Sequence, residues 1–94
     1  MVLMTDLKSG MRTVGVPREV KTAEHRVAMT PDGVREFERA GIAVVVETGA
    51  GEGASIDDAD YIAAGADIVA TAAEAWAQDM VVKVKEPKPE EFAF

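Results

Sequence analysis

Short apolar runs alternate with amphipathic segments along this chain. Runs rich in valine or isoleucine lie at 12–17, 42–47, 66–69 and 80–84, and their length suits strands buried in a sheet. The segments between them contain apolar residues at helical spacing. Strands that alternate with helices predict a parallel sheet with flanking helices, so the expected fold class is α/β.

Local start and stop signals bound the predicted helices. Thr30, followed by proline, begins the first helix, and Gly41 ends it in a left-handed conformation. Asp57 caps a second, shorter helix that Gly65 closes. A third helix over 71–77 begins at a T-x-x-E capping box.

The composition fits one small domain. The chain has 94 residues, 48% of them hydrophobic, and a net charge of −7, which argues against nucleic acid and anionic membranes as partners. It has no cysteine, which suits a reducing cytoplasm, and its one histidine, His25, forms no metal cluster by itself. No apolar run approaches the roughly 20 residues that span a bilayer.

Residues 1–11 precede the first predicted strand. Their apolar run is too short for a secretion signal, and no cleavage site follows it. We therefore predict a leader or disordered extension at 1–11 and a folded part at 12–94.

Ligands of such sheets bind outside the carboxyl ends of the strands. Three segments follow predicted strands: 18–29, 48–55 and 85–89. The middle segment contains GAGEGA, which has the spacing of a dinucleotide-binding loop. The helix begins only at Asp57, however, and the nearby carboxylates would repel a diphosphate. We predict a tight structural loop and no cofactor-binding residue there.

Lys83 and Lys85 are candidates beside the third segment. Two positions apart on a strand, they leave the same face, and Lys85 lies at the edge where a pocket for an anionic substrate would form. Solvated lysines on an exposed turn beside Glu86 are the alternative interpretation. The spacing alone leaves both interpretations open.

Arg26 is the candidate in the first segment. Its apolar neighbours at 27–29 draw it toward the domain, and a guanidinium can donate two parallel hydrogen bonds to a carboxylate. An ion pair with Glu19 or Glu24 is equally compatible with the sequence.

Several of these motifs together resemble alanine dehydrogenase. They include VGVPRE at 14–19, EHRVA at 24–28, ETGAGEGA at 47–54 and VKVKEP at 82–87. The resemblance extends over about residues 12 to 92, and its motifs occur in order and at the expected spacing. The amino-terminal part of nicotinamide nucleotide transhydrogenase is similar too, but it usually lacks the Lys-Glu-Pro ending.

The resemblance implies an NAD-dependent oxidoreductase that converts L-alanine and water to pyruvate and ammonia. It implies the amino-terminal part of a Rossmann-like or flavodoxin-like substrate domain, in which Arg26 binds the substrate carboxylate and Lys85 is both substrate-binding and catalytic. The family's catalytic histidine and aspartate and its NAD-binding domain lie beyond residue 94, so we expect this chain alone to be inactive. A cytoplasmic homo-oligomer is also implied.

Two alternatives stay open. The chain could belong to a transhydrogenase alpha subunit, which would exchange hydride between nicotinamides without alanine. It could instead be a small non-catalytic α/β module that serves assembly, which would neither bind pyruvate nor turn over.

Overall fold

Among the described residues, the sheet contains four parallel strands and one antiparallel strand. The structure is a computed structural model that describes residues 2–5, 13–19 and 29–83. Its strands are β1 (Val2–Thr5), β2 (Thr13–Val16), β3 (Ala43–Glu47), β4 (Asp67–Val69) and β5 (Met80–Lys83). Its helices are α1 (Pro31–Arg39), α2 (Asp58–Ala64) and α3 (Ala72–Trp76). The strand order is β1-β5-β2-β3-β4, with only β1 antiparallel. The predicted α/β class and parallel sheet with flanking helices are confirmed.

The helix signals in the sequence act as expected. The hydroxyl oxygen of Thr30 accepts a hydrogen bond from the Gly33 N–H at 3.2 Å, which satisfies one of the free donors of the first turn. Thr71 caps α3 in the same way, through the Glu74 N–H at 3.3 Å. Gly41 follows α1 with a φ of +80°, a left-handed conformation that glycine adopts without strain.

The main core lies between the sheet and the helices α1 and α2. Even-numbered residues of the central strands share this face, because side chains alternate along a strand. They are Val14, Val16, Val44, Val46, Met80 and Val82. Val34 of α1 and Tyr61 of α2 join this cluster and are fully buried.

Helix α3 packs on the opposite face, against Gly15 of β2. A Cβ atom at Gly15 would lie 1.8 Å from the carbonyl oxygen of Ala75, so a side chain there would force the helix away from the strand. By alternation, Val45, Val81 and Lys83 belong to the same face as Gly15. Helices therefore cover both faces of the sheet.

The amino terminus differs from its prediction. Val2–Thr5 form β1, which pairs along its whole length with β5. That part of the predicted 1–11 leader is thus a strand rather than a loose extension. The edge of β5 presents backbone groups that require partners, and β1 provides them. The domain boundary at residue 12 itself lies outside the described residues and stays a prediction.

The direction of strand order reverses at β2. From β2 the chain proceeds outward to β3 and β4, whereas β5 lies on the other side of β2. At the amino ends of these neighbours, the Thr13 N–H donates to Asp79 Oδ2 at 3.2 Å and the Asp79 N–H donates to Thr13 Oγ1 at 2.9 Å. This exchange fixes β2 and β5 at one end, and the reversal defines a topological switch point at the other.

Candidate functional site

The carboxyl ends of β2 and β5 form the candidate site. They are adjacent and parallel, and they lie where the strand order reverses. Open α/β sheets bind ligands outside the carboxyl ends of the strands at such a point. In sequence, β2 is followed by Arg26 and β5 by Lys85, the two predicted site residues.

Lys83 and Glu19 form a buried ion pair at this end of the sheet. Lys83 Nζ lies 3.6 Å from Glu19 Oε1, and the two side chains are only 1% and 3% exposed. The ammonium also lies 6.0 Å from the centre of the Trp76 ring, at the outer limit of a cation–π contact. The interpretation of Lys83 as a solvated lysine is therefore wrong, because Glu19 and the α3 side of the sheet enclose it.

The end of β2 is also fastened to β3. The Arg18 N–H donates a hydrogen bond of 2.8 Å to Glu47 Oε1, at the last residue of β3. The neighbouring residue, Glu19, reaches in the other direction, to β5. Successive residues after β2 thus connect the carboxyl ends of three strands.

The glycine loop after β3 is closed by Asp58. Its carboxylate accepts hydrogen bonds from the Thr48 hydroxyl and from the Gly49 N–H, the latter at 2.9 Å. These two bonds, from Thr48 first and Gly49 second, lower the pKa of Asp58 below its usual value. A fixed carboxylate therefore takes the backbone donor that a diphosphate would need.

The geometry of this loop does not fit a dinucleotide. The chain forms a 3₁₀ turn at Glu52–Ala54 before α2, which has only seven residues. A Cβ atom at Gly51 would lie 2.7 Å from the Ile56 carbonyl oxygen and 2.9 Å from Tyr61 Cε2, so glycine is needed for internal packing. Because the Asp58 carboxylate accepts from the Gly49 N–H, the loop is unsuited to the diphosphate of NAD.

Tyr61 anchors the chain where the first candidate segment rejoins the described structure. Its hydroxyl donates a hydrogen bond of 2.7 Å to the Met29 carbonyl oxygen in the core. Burial, with a smaller contribution from the charge of Asp58, raises the pKa of Tyr61 to about 12. Glu19 and Met29, the described residues on either side of 20–28, thus both make buried contacts.

The predicted site residues Arg26 and Lys85 both lie outside the described residues. Their roles stay predictions, as do the alternatives of an Arg26 ion pair and a solvated Lys85. The structure instead describes the residues that flank them. Sequence reasoning treated Glu19 only as a pairing partner and missed the contacts of Glu47 and Asp58, because neither residue belongs to a motif that specifies its partner.

Among the described residues, the aspartate and glutamate side chains form no group of three or more arranged to hold a metal ion. No helix in the described ranges has the length and apolarity to cross a bilayer.

A family model described as "Alanine dehydrogenase/PNT, N-terminal domain" matches residues 15–94. This chain belongs to that family. An alanine dehydrogenase of Bilophila wadsworthia is 54% identical to it over 79 residues, which cover 84% of the chain and 21% of the relative. Alanine dehydrogenase 2 of Staphylococcus aureus is 48% identical over 81 residues, which cover 86% of the chain and 22% of the relative. The chain thus spans about a fifth of these alanine dehydrogenases.

Solved structures agree with the family assignment. An L-alanine dehydrogenase matches with a TM-score of 0.85 and 49% identity, over 86% of this chain and 22% of that one. A transhydrogenase from Sinorhizobium meliloti matches with a TM-score of 0.82 and 36% identity, over 87% and 23%. The resemblance read from the sequence is confirmed, and the higher identities favour alanine dehydrogenase over transhydrogenase.

Proposed function

We propose that this member of the alanine dehydrogenase/PNT family provides the front part of the substrate site of an NAD-dependent L-alanine dehydrogenase. The observation that carries the proposal is the 54% identity to the Bilophila wadsworthia enzyme across most of the chain. The reaction converts L-alanine, NAD⁺ and water to pyruvate, ammonium, NADH and a proton. The carboxyl ends of β2 and β5 lie at the topological switch point, and Arg26 and Lys85 follow these strands in sequence, which supports the same assignment.

Two cations account for the proposed substrate contacts. Arg26 would bind the carboxylate that L-alanine and pyruvate share, because its planar fork suits two parallel hydrogen bonds. Lys85 would stabilise negative charge that develops on the substrate oxygen as the carbinolamine forms and breaks down. NAD would be bound by another part of the enzyme, since the glycine loop here is closed by Asp58.

A chimeric enzyme tests this proposal directly. The segment of the Bilophila wadsworthia alanine dehydrogenase that aligns with this chain is replaced by this chain, and NAD reduction is measured with L-alanine. We expect activity, because the identity is high over the exchanged length. A folded chimera without activity, or one that exchanges hydride between nicotinamides independently of alanine, would contradict the proposal.

Two variants of the chimera test the site residues. Arg26→Ala and Lys85→Ala should each lower kcat/KM by about 100- to 1000-fold, as loss of a charge-assisted contact in a closed site does. Arg39→Ala is the matched control, because Arg39 lies at the exposed end of α1 and pairs only with Glu36 among the described contacts. Activity near that of the parent chimera would remove Arg26 or Lys85 from the site.

We also propose that the complete enzyme is cytoplasmic and forms a homo-oligomer, as the family resemblance implies. Sedimentation of the active chimera measures the second point. A monomer that retains full activity would contradict it.

A further inference from the structure

The most unusual polar contact among the described residues is the Glu19–Lys83 pair. Both side chains are almost completely buried, whereas the ion pair between Arg39 and Glu36 is 71% exposed on each side. Removing a charged group from water is unfavourable unless a partner compensates it. At 3.6 Å the two groups compensate each other electrostatically. A buried ion pair of this kind adds little net stability. Its role is therefore better explained by the one arrangement of β2 and β5 that it favours.

The location of the pair suggests what it specifies. Glu19 lies three residues beyond β2 and seven before Arg26, and Lys83 ends β5 two residues before Lys85. The pair therefore joins the carboxyl end of β5 to the residues that follow β2, close in sequence to both candidate residues. Thr13 and Asp79 join the same two strands at their other end, so β2 and β5 are connected at both ends.

We propose that Glu19 and Lys83 are positioning residues for the substrate site, which act by holding together the carboxyl ends of β2 and β5, from which the chain continues to Arg26 and Lys85. The inference rests on the proposed function and assigns neither residue a contact with substrate. Two cations bind one small acid well only when their separation is fixed, because small displacements in a binding site reduce rates and affinity steeply.

Variants of the chimeric alanine dehydrogenase test the proposal. Glu19→Gln keeps the shape and removes the charge that lies 3.6 Å from Lys83 Nζ, whereas Lys83→Met removes the ammonium and keeps most of the apolar stem. Each single change should raise KM for pyruvate about tenfold and leave KM for NADH unchanged. The double variant should recover part of the loss, since it removes both charges of the pair together. Glu36→Gln, which breaks the exposed pair of α1, is the matched control.

Comparing the change in KM for pyruvate with the change in KM for NADH distinguishes a positioning role from a general loss of folded enzyme. A purely structural role would reduce the amount of folded enzyme and lower kcat with both KM values unchanged. An unchanged KM for pyruvate in folded Glu19→Gln, or an equal change for NADH, would overturn the inference. Should Lys83→Met alone abolish activity without recovery in the double variant, Lys83 would be a substrate ligand, and the inference would again be wrong.

A second measurement does not depend on turnover. Hydrogen exchange of the 94-residue chain should become faster at the carboxyl ends of β2 and β5 in Glu19→Gln and in Lys83→Met, but not in Glu36→Gln. An inactive parent chimera would contradict the proposed function. In that case, unchanged exchange in both variants would also show that the pair fixes nothing.

Discussion

At the scale of single residues, Asp58 has a structural task that its chemistry explains. It is the first residue of α2, where a negative charge interacts favourably with the helix dipole. Its two oxygens also accept from Thr48 and Gly49, so one carboxylate closes the loop after β3. The same aspartate that makes the loop unsuitable for a diphosphate is therefore what holds the loop together.

Replacing Asp58 by asparagine should destabilise the chain in a pH-dependent way. The amide accepts only one of the two hydrogen bonds, so the free energy of unfolding at pH 7 should fall by about 0.5–1.5 kcal/mol. The folded-state pKa of Asp58 is lowered, so its contribution is present above the unfolded value of 3.8 and is lost as the pH falls through the folded value. Urea denaturation at pH 7 and near pH 3 measures both effects.

Asp67→Asn is the control for that experiment, because Asp67 is exposed at the start of β4. We expect Asp58→Asn and the parent chain to converge in stability at acid pH. A difference that stays constant over the whole pH range would show that the charge of Asp58 is not the cause.

Tyr61→Phe tests the anchor at Met29. The change removes the hydroxyl that donates to the Met29 carbonyl oxygen in the core. The free energy of unfolding at pH 7 should therefore fall by about 1–3 kcal/mol. The folded pKa of Tyr61 is raised to about 12, so its stabilising effect is present below the ordinary value of 10.0 and is lost between pH 10.0 and about 12. Urea midpoints measured up to pH 12 should show this alkaline loss in the parent and less of it in Tyr61→Phe. Ile62→Ala, at a 57% exposed position, is the control.

At the scale of the elements, local signals account for most of the fold. Thr30, Gly41 and Thr71 act through neighbours three or four residues away, so the ends of α1 and the start of α3 were predictable from the sequence. β1 was not, because its pairing depends on β5 at the far end of the chain. The burial of Lys83 escaped prediction for the same reason, since it depends on Glu19, which is distant in sequence.

The packing of α3 on β2 gives a prediction at this scale. Gly15→Ala should destabilise the chain severely, because the new Cβ atom would meet the backbone of Ala75 at 1.8 Å and the backbone cannot rotate away. Gly41→Ala is the comparison: nothing lies within 4 Å of its added Cβ, and only the positive φ is strained, at about 1–2 kcal/mol. Thermal unfolding of both variants measures the difference. A similar decrease of the unfolding temperature in Gly15→Ala and Gly41→Ala would contradict close packing of α3 on β2.

At the scale of the whole molecule, the proposed substrate site lies where two strands that are distant in sequence, β2 and β5, become neighbours. The chain brings β2 and β5 together at a switch point and fastens their ends, yet it spans about a fifth of the relatives that it matches. The sequence could indicate the family, because that signal is spread over many motifs. It could not indicate which charges the fold encloses.

The 94-residue polypeptide by itself should therefore not reduce NAD in the presence of L-alanine. The physical reason is that the glycine loop, the one segment with dinucleotide-like spacing, has its backbone donor bound to Asp58. The assay follows NADH absorbance with the isolated chain and, in parallel, with the chimera at equal concentration. The chimera shows that the reagents and the substrate site function. Unchanged NADH absorbance with the isolated chain would then show that this chain alone does not reduce NAD. Alanine-dependent NADH formation by the isolated chain would show that it contains a cofactor site, and both the assignment of NAD to another part of the enzyme and our account of the loop would then have to be abandoned.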